Sequence, residues 1–265
     1  MESFAQIAKL SDQALLLALS TTRIAVAFLV LPIFTGDLIP ATVRNAIYVA
    51  FGVLALALQP AATNAQVMQV QWLPLFGKEA FLGAGIGFLF GSVLWAFEAA
   101  GALIDTKIGA TTAQVTDPMS GQQTPLTGAF LGRLANFVFM FSGGLLLLMG
   151  TLLDSYVLWP VLSKLPALKA AGAGAFEAEF GRLMLLALLI AAPSLVVLFA
   201  IDGVLGLVNR FAQQLNVFSL SMSIKTWAST AVLMLMTASM VQQLIADVQS
   251  RPAIVLRTLR ALFSG

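Results

Sequence analysis

Neither cysteine nor histidine occurs anywhere in the 265 residues. Without Cys the chain forms no disulfide and no thiolate centre, although this says little about its compartment. Without His it lacks the commonest metal ligand and the usual general base. Charge is scarce too: 10% of residues are Asp, Glu, Lys or Arg, where a soluble domain carries roughly 25%. Such a chain cannot keep an ordinary wet surface. Its net charge of +2, with no basic stripe, argues against nucleic acid as a partner. No G-x-G-x-x-G, phosphate-binding loop or G-x-S-x-G motif is present. The sequence therefore offers no catalytic centre, and no cofactor or metal is expected.

What fills the chain is hydrocarbon. Apolar residues make up 59% and the mean hydropathy is +0.94, which points to a membrane protein. Apolar windows fall at about 13–34, 43–58, 81–103, 129–153, 183–205 and 227–245. A spanning helix needs about 20 such residues, so the second window is short and the other five qualify. An all-α fold of about six apolar helices follows, read as one domain over residues 1–265. Glu2 and Asp12 offset Lys9 ahead of the first window, so it lacks the positive flank of a secretory signal. It is read as a retained helix. Pro32 and Pro40 separate the first two windows, and the Ala/Gly run at 170–175 reads as part of a connection. Counting Lys and Arg in alternate connections gives eight against four, which favours both termini on the cytoplasmic side.

Four charges, Arg23, Glu98, Arg133 and Asp202, lie in or at the edge of apolar windows. An ionised group at the bilayer centre costs about 2.5–3.5 kcal/mol even on the lenient insertion scale. Glu98 and Asp105 are one heptad apart and share a helix face. Glu98 is either a proton-relay carboxylate or the partner of an Arg such as Arg23 or Arg133 that fixes helix packing. Gly83, Gly87 and Gly91 recur every fourth residue, a spacing that admits a second helix at close range. Between the third and fourth windows lies the main polar interruption, from Gly101 to Gly128, with Asp105, Lys107, Gly109, Asp117, Pro118 and Gly121 in it. Irregular backbone between membrane-grade helices must be solvated, buried in protein or lining a watery cavity.

Three segments carry a family resemblance. They are PIFTGDLIPATVR at 32–44, the stretch from Glu98 through Asp105 and Gly109 to Asp117-Pro118-Met119-Ser120-Gly121, and the stretch from Pro193 through Asp202, Asn209-Arg210 and LNVF at 215–218 to Lys225. Read together, they resemble the T subunit of the type III secretion export apparatus, whose flagellar counterpart is the R protein of the flagellar export gate. Asp-Pro-x-Ser-Gly followed by Gln and Thr looks more like the virulence branch. Lys107 departs from the uncharged polar residue expected at its position.

The resemblance implies a gate subunit of the bacterial inner membrane, multi-pass or partly raised above the bilayer plane within the secretion-system base, without catalysis and forming part of the channel for unfolded substrate proteins. It would pack, as hydrophobic hairpins, into a helical cone with several copies of two smaller membrane proteins. Further implied partners are the large export-gate protein, the autoproteolytic switch protein, secreted substrates in transit, and membrane lipid. The loop from Gly109 to Thr124, with Asp117, Pro118, Met119, Ser120, Gly121 and Gln122, would be a plug in that channel. Asn209, Arg210, Asn216, Phe218 and Lys225 would belong to a strip touching a neighbouring subunit, or simply to the connection between the fifth and sixth windows. The competing reading is a small proton-coupled secondary transporter using Glu98, Asp105 and Asp202. It lacks the paired, similarly broken halves that such transporters show.

Overall fold

The computed structural model describes residues 2–33, 40–59, 72–109, 125–163, 170–211 and 217–263. Among these residues there is no strand, and seven helices follow in order: α1 Glu2–Val30, α2 Ala41–Ala57, α3 Trp72–Ile108, α4 Leu126–Phe141, α5 Gly144–Leu158, α6 Ala170–Phe211 and α7 Val217–Phe263. The fold is all-α. Four helices are long and apolar enough to cross a membrane, within α1, α3, α6 and α7, and α4 with α5 makes a fifth if taken as one broken span. α2 is too short, as its sequence window is.

The apolar window at 129–153, expected as one helix, is two. The break falls at Ser142-Gly143, where Gly143 has φ +81 in the left-handed region open to glycine. The Ala/Gly run at 170–175, expected as a connection, is the first turns of α6, because alanine is the best helix former and outweighs its two glycines. α3 likewise starts well before its apolar window. Pro74 sits in its first turn, where a missing N–H costs nothing.

The chain divides into two compact units, with boundaries inside α3, α6 and α7. The first holds Met1–Gly91, Gly143–Glu177 and Gln249–Gly265. Here α1 lies in the groove that Gly83 and Gly87 leave on α3. A Cβ at Gly83 would strike the Arg23 carbonyl, and one at Gly87 would come within 2.5 Å of the Ala27 carbonyl. The glycine spacing thus has the packing role its sequence suggests. The end of α7 closes the unit with a buried stripe of Arg251, Val255 and Leu259, and Arg251 donates to the Leu89 carbonyl at 2.9 Å.

At the centre of this unit Arg23 is fully buried. Its guanidinium grips Glu79 with two bonds, 2.6 and 3.0 Å. It also donates to Ser155 Oγ and the Trp159 carbonyl, both at 2.9 Å, and lies over the Tyr156 ring. Lys78 shares Glu79 at 2.9 Å and donates to the carbonyls of Pro160, Val161 and Ser163 at 2.8–3.0 Å. The carboxylate that Arg23 takes is therefore Glu79, not Glu98. Every donor so buried needs its acceptor, and these two cations tie α1, α3 and the end of α5 together.

The second unit holds Ser92–Ser142 and Ala178–Val248. Its core is formed by Val93, Phe97, Ala100 and Ile104 of α3, Leu131, Ala135 and Phe139 of α4, and Leu186, Ile190 and Leu198 of α6, with Leu233, Met240 and Leu244 of α7. α6 and α7 run antiparallel within it, because their ion pairs join the end of one to the start of the other.

Candidate functional site at the ends of the central loop

Most of the central loop, residues 110–124, lies outside the described residues, and with it Asp117, Pro118, Met119, Ser120, Gly121 and Gln122. The two places where the chain leaves and re-enters helix are described. α3 stops at Ile108, and Gly109 follows with φ +89. The Gly109 N–H reaches back to the carbonyls of Asp105 and Thr106, both at 3.2 Å, a left-handed glycine terminator. On the return, Pro125 precedes α4 and offers no side-chain cap.

The missing cap is supplied from the other helix. Asp105 is 3% exposed, and its Oδ2 accepts the N–H groups of Thr127 at 2.8 Å and Gly128 at 3.1 Å. These are orphan donors of the first turn of α4, at the end of the helix where a negative charge is favoured. One turn earlier on α3, Gly101 lets the backbones meet. A Cβ there would be 2.5 Å from the Thr127 carbonyl and 2.6 Å from Gly128 Cα. A Cβ on Gly132 would meet the Glu98 side chain at 3.5 Å. The heptad that places Glu98 and Asp105 on one face is thus the face α3 turns to α4. The two carboxylates differ in environment, since Glu98 is exposed while Asp105 is buried.

On another side of the α3 terminus stands an ion-pair node. Asp202 of α6 bridges Lys107 of α3 at 2.8 Å and Lys225 of α7. The Lys107 ammonium also lies 3.9 Å from the Phe199 ring centroid. Lys107, the residue that departs from the family pattern, therefore has a defined partner. The node ties the root of the loop to the other two long helices of its unit.

The remaining sequence candidates lie apart from this node. Arg133 is exposed, and among the described residues no ion pair joins Glu98 to Arg133 or to Arg23. Asn209 and Arg210 are exposed on the last turn of α6, whereas Asn216 lies outside the described residues and Phe218 is placed by its backbone alone. Sequence reasoning missed Lys78, Glu79, Glu179 and Asp247. Lys78-Glu79 fall ahead of the apolar window and read as connection, although Pro74 before them is a helix-start signal.

Comparison with known proteins gives the family. The family model for bacterial export proteins, family 1, matches residues 14–250. The chain is 35% identical over 217 residues to Yop proteins translocation protein T of Yersinia pestis, covering 80% of this chain and 82% of that protein. It is 31% identical over 221 residues to surface presentation of antigens protein SpaR of Salmonella typhimurium, covering 82% and 81%. It is 27% identical over 241 residues to flagellar biosynthetic protein FliR of Bacillus subtilis, covering 91% and 92%. The chain belongs to bacterial export protein family 1, the multi-pass inner-membrane export-apparatus proteins of type III secretion and flagellar systems.

Proposed function

We propose that this protein is an export-gate component of a virulence-type type III secretion system, forming part of the channel for unfolded substrates, with residues 109–124 as a plug in that channel. The observation that carries the reading is the closed root of the loop. Asp105 and Gly101 hold the departure and return of the chain against each other, so a polar excursion of fixed origin is mounted on two apolar helices. Thr111, Thr112, Gln114, Thr116, Ser120, Gln122 and Gln123 within it can exchange bonds between water and facing backbone without stranding a charge. Opening then needs displacement of the excursion only, an order–disorder change, while the helices stay in place.

In this reading the protein does no chemistry. It assembles with several copies of the two smaller gate membrane proteins into a helical cone, and with the large export-gate protein and the autoproteolytic switch protein. The exposed turn bearing Asn209 and Arg210 is part of its contact strip. The transporter alternative is less well supported, because Asp105 is engaged by backbone donors and Asp202 by two lysines. They form no aligned relay.

The test is deletion of residues 115–123 in the gate complex, co-produced with its smaller partners and placed in planar bilayers. Ion conductance through the resting complex is expected to rise well above that of the unmodified complex. Equal conductance removes the plug role, and purification as a lone particle that takes up solute into liposomes restores the transporter.

A further inference from the structure

Within the second unit α3, α6 and α7 meet in a polar junction at two levels. One is the Lys107–Asp202–Lys225 node, with a residue from each helix. The other is built around Arg182 of α6. Its guanidinium bonds Glu179 on its own helix at 3.2–3.3 Å and Asp247 of α7 at 3.1 Å. Glu179 in turn accepts the hydroxyl of Ser92 of α3 at 2.6 Å, and both of these side chains are buried. So α6 bonds α3 and α7 at both levels. The junctions are 15 residues apart on α3 (92 to 107), 20 on α6 (182 to 202) and 22 on α7 (225 to 247). At 1.5 Å per residue that is about 22, 30 and 33 Å.

What lies between the junctions holds the helices together without fixing their register. Between 225 and 247, α7 buries Ser229, Leu233, Met240 and Leu244, and residues 183–201 of α6 hold one polar side chain, Ser194. Apolar burial is non-directional, and Met adapts its shape to its neighbours. A thin seam of this kind tolerates one helix sliding along another. A guanidinium fork that must meet carboxylates on two helices does not, because its bonds are fixed in direction.

We propose that Arg182 is a positioning residue: together with the Asp202 node it pins α3 and α7 to α6 in one register, so that the three helices act as a single strut. One junction left intact still prevents sliding, so the loss shows in full only when both are gone. The end of α3 that carries Gly109 is then held from both levels. The inference concerns the helices and does not depend on the plug.

Amide hydrogen exchange in the intact gate complex reads this helix by helix. Peptides covering 186–198 of α6 and 229–244 of α7 are followed in wild type, Arg182→Gln, Arg182→Lys, Asp202→Asn and the double variant of Arg182→Gln with Asp202→Asn. At low ionic strength each single variant should exchange within about twofold of wild type, and the double variant about tenfold faster or more. Sites this far apart ordinarily act independently, so a double variant no faster than the product of the two singles overturns the strut. Salt weakens the part-exposed Asp202 node and gives a test that needs no double variant. Rising ionic strength should speed exchange in Arg182→Gln and leave wild type unchanged, and an equal response in the two also overturns the strut. Lysine keeps the charge of Arg182 but not its fork, so Arg182→Lys should respond to salt as Arg182→Gln does. Wild-type behaviour of Arg182→Lys removes Arg182 as a positioning residue.

Discussion

Asp105 turns its charge onto two backbone N–H groups, and that choice separates it from the other carboxylates in apolar sequence. Replacement by Ala leaves the first turn of α4 with buried donors unmet, a loss of about 1–3 kcal/mol per stranded group. Replacement by Asn keeps an acceptor oxygen without the charge, so the smaller cost of a neutral cap applies. The expected order of thermal stability in the purified complex is wild type, then Asp105→Asn, then Asp105→Ala, and resting ion leak should follow the reverse order. Stability and leak that do not change together would detach the root of the loop from its closure. The role of Asp105 was half legible in sequence, where its heptad relation to Glu98 placed it on a face. Its partners were not, because backbone N–H groups leave no mark in the residue code. The same blindness hid Lys78, whose acceptors are three carbonyls. Two of the eight cations in the larger group of the charge count, Lys78 and Arg251, are buried on helices.

The helices themselves were legible wherever apolar runs are long, and their ends were not. α3, α6 and α7 each outrun their windows by several turns, because a helix continues through Ala, Gln or a paired ion as readily as through Leu. Conversely, a glycine step inside a uniform apolar run costs only about 1 kcal/mol relative to Ala, too little to announce the break at Gly143. Glycines on a helix face are the better signal, and they permit a paired test. Gly83→Ala would drive a Cβ into the Arg23 carbonyl, and backbone cannot yield as a side-chain tip can. α1 must then move off α3 and pull Arg23 out of register with Glu79. Gly77, on the same helix, has nothing within 4 Å of its added Cβ, so Gly77→Ala should stabilise by up to about 1 kcal/mol through helix propensity. Thermal unfolding of the two variants in detergent should shift in opposite directions. A Gly83→Ala protein as stable as wild type would show that the groove is not what seats α1.

For the molecule as a whole, family and membrane character were readable because they are spread along the chain in composition and in three ordered segments, whereas the node at Asp202 needed three helices to be brought together first. That node carries the last prediction. Asp202 faces two lysines, so Asp202→Asn removes the one charge that allows them to approach, and Lys107 and Lys225 then repel across the gap it leaves. The side chains are partly exposed, at 26%, 32% and 12% for Lys107, Asp202 and Lys225, so water and salt temper the repulsion. The consequence is a loosened root of the central loop, not an unfolded unit, because the core of the unit is elsewhere. The Asp202→Asn complex should therefore assemble with unchanged particle mass, leak ions at rest more than wild type at low salt, and leak less as ionic strength rises. Adding Lys107→Gln to Asp202→Asn removes one of the two repelling charges and should recover part of the closure. Lysine repulsion predicts both the salt dependence and the partial rescue. If the single variant leaks equally at all ionic strengths, or the double variant leaks more than the single, the node acts through the lost hydrogen bonds of Asp202 and not through charge.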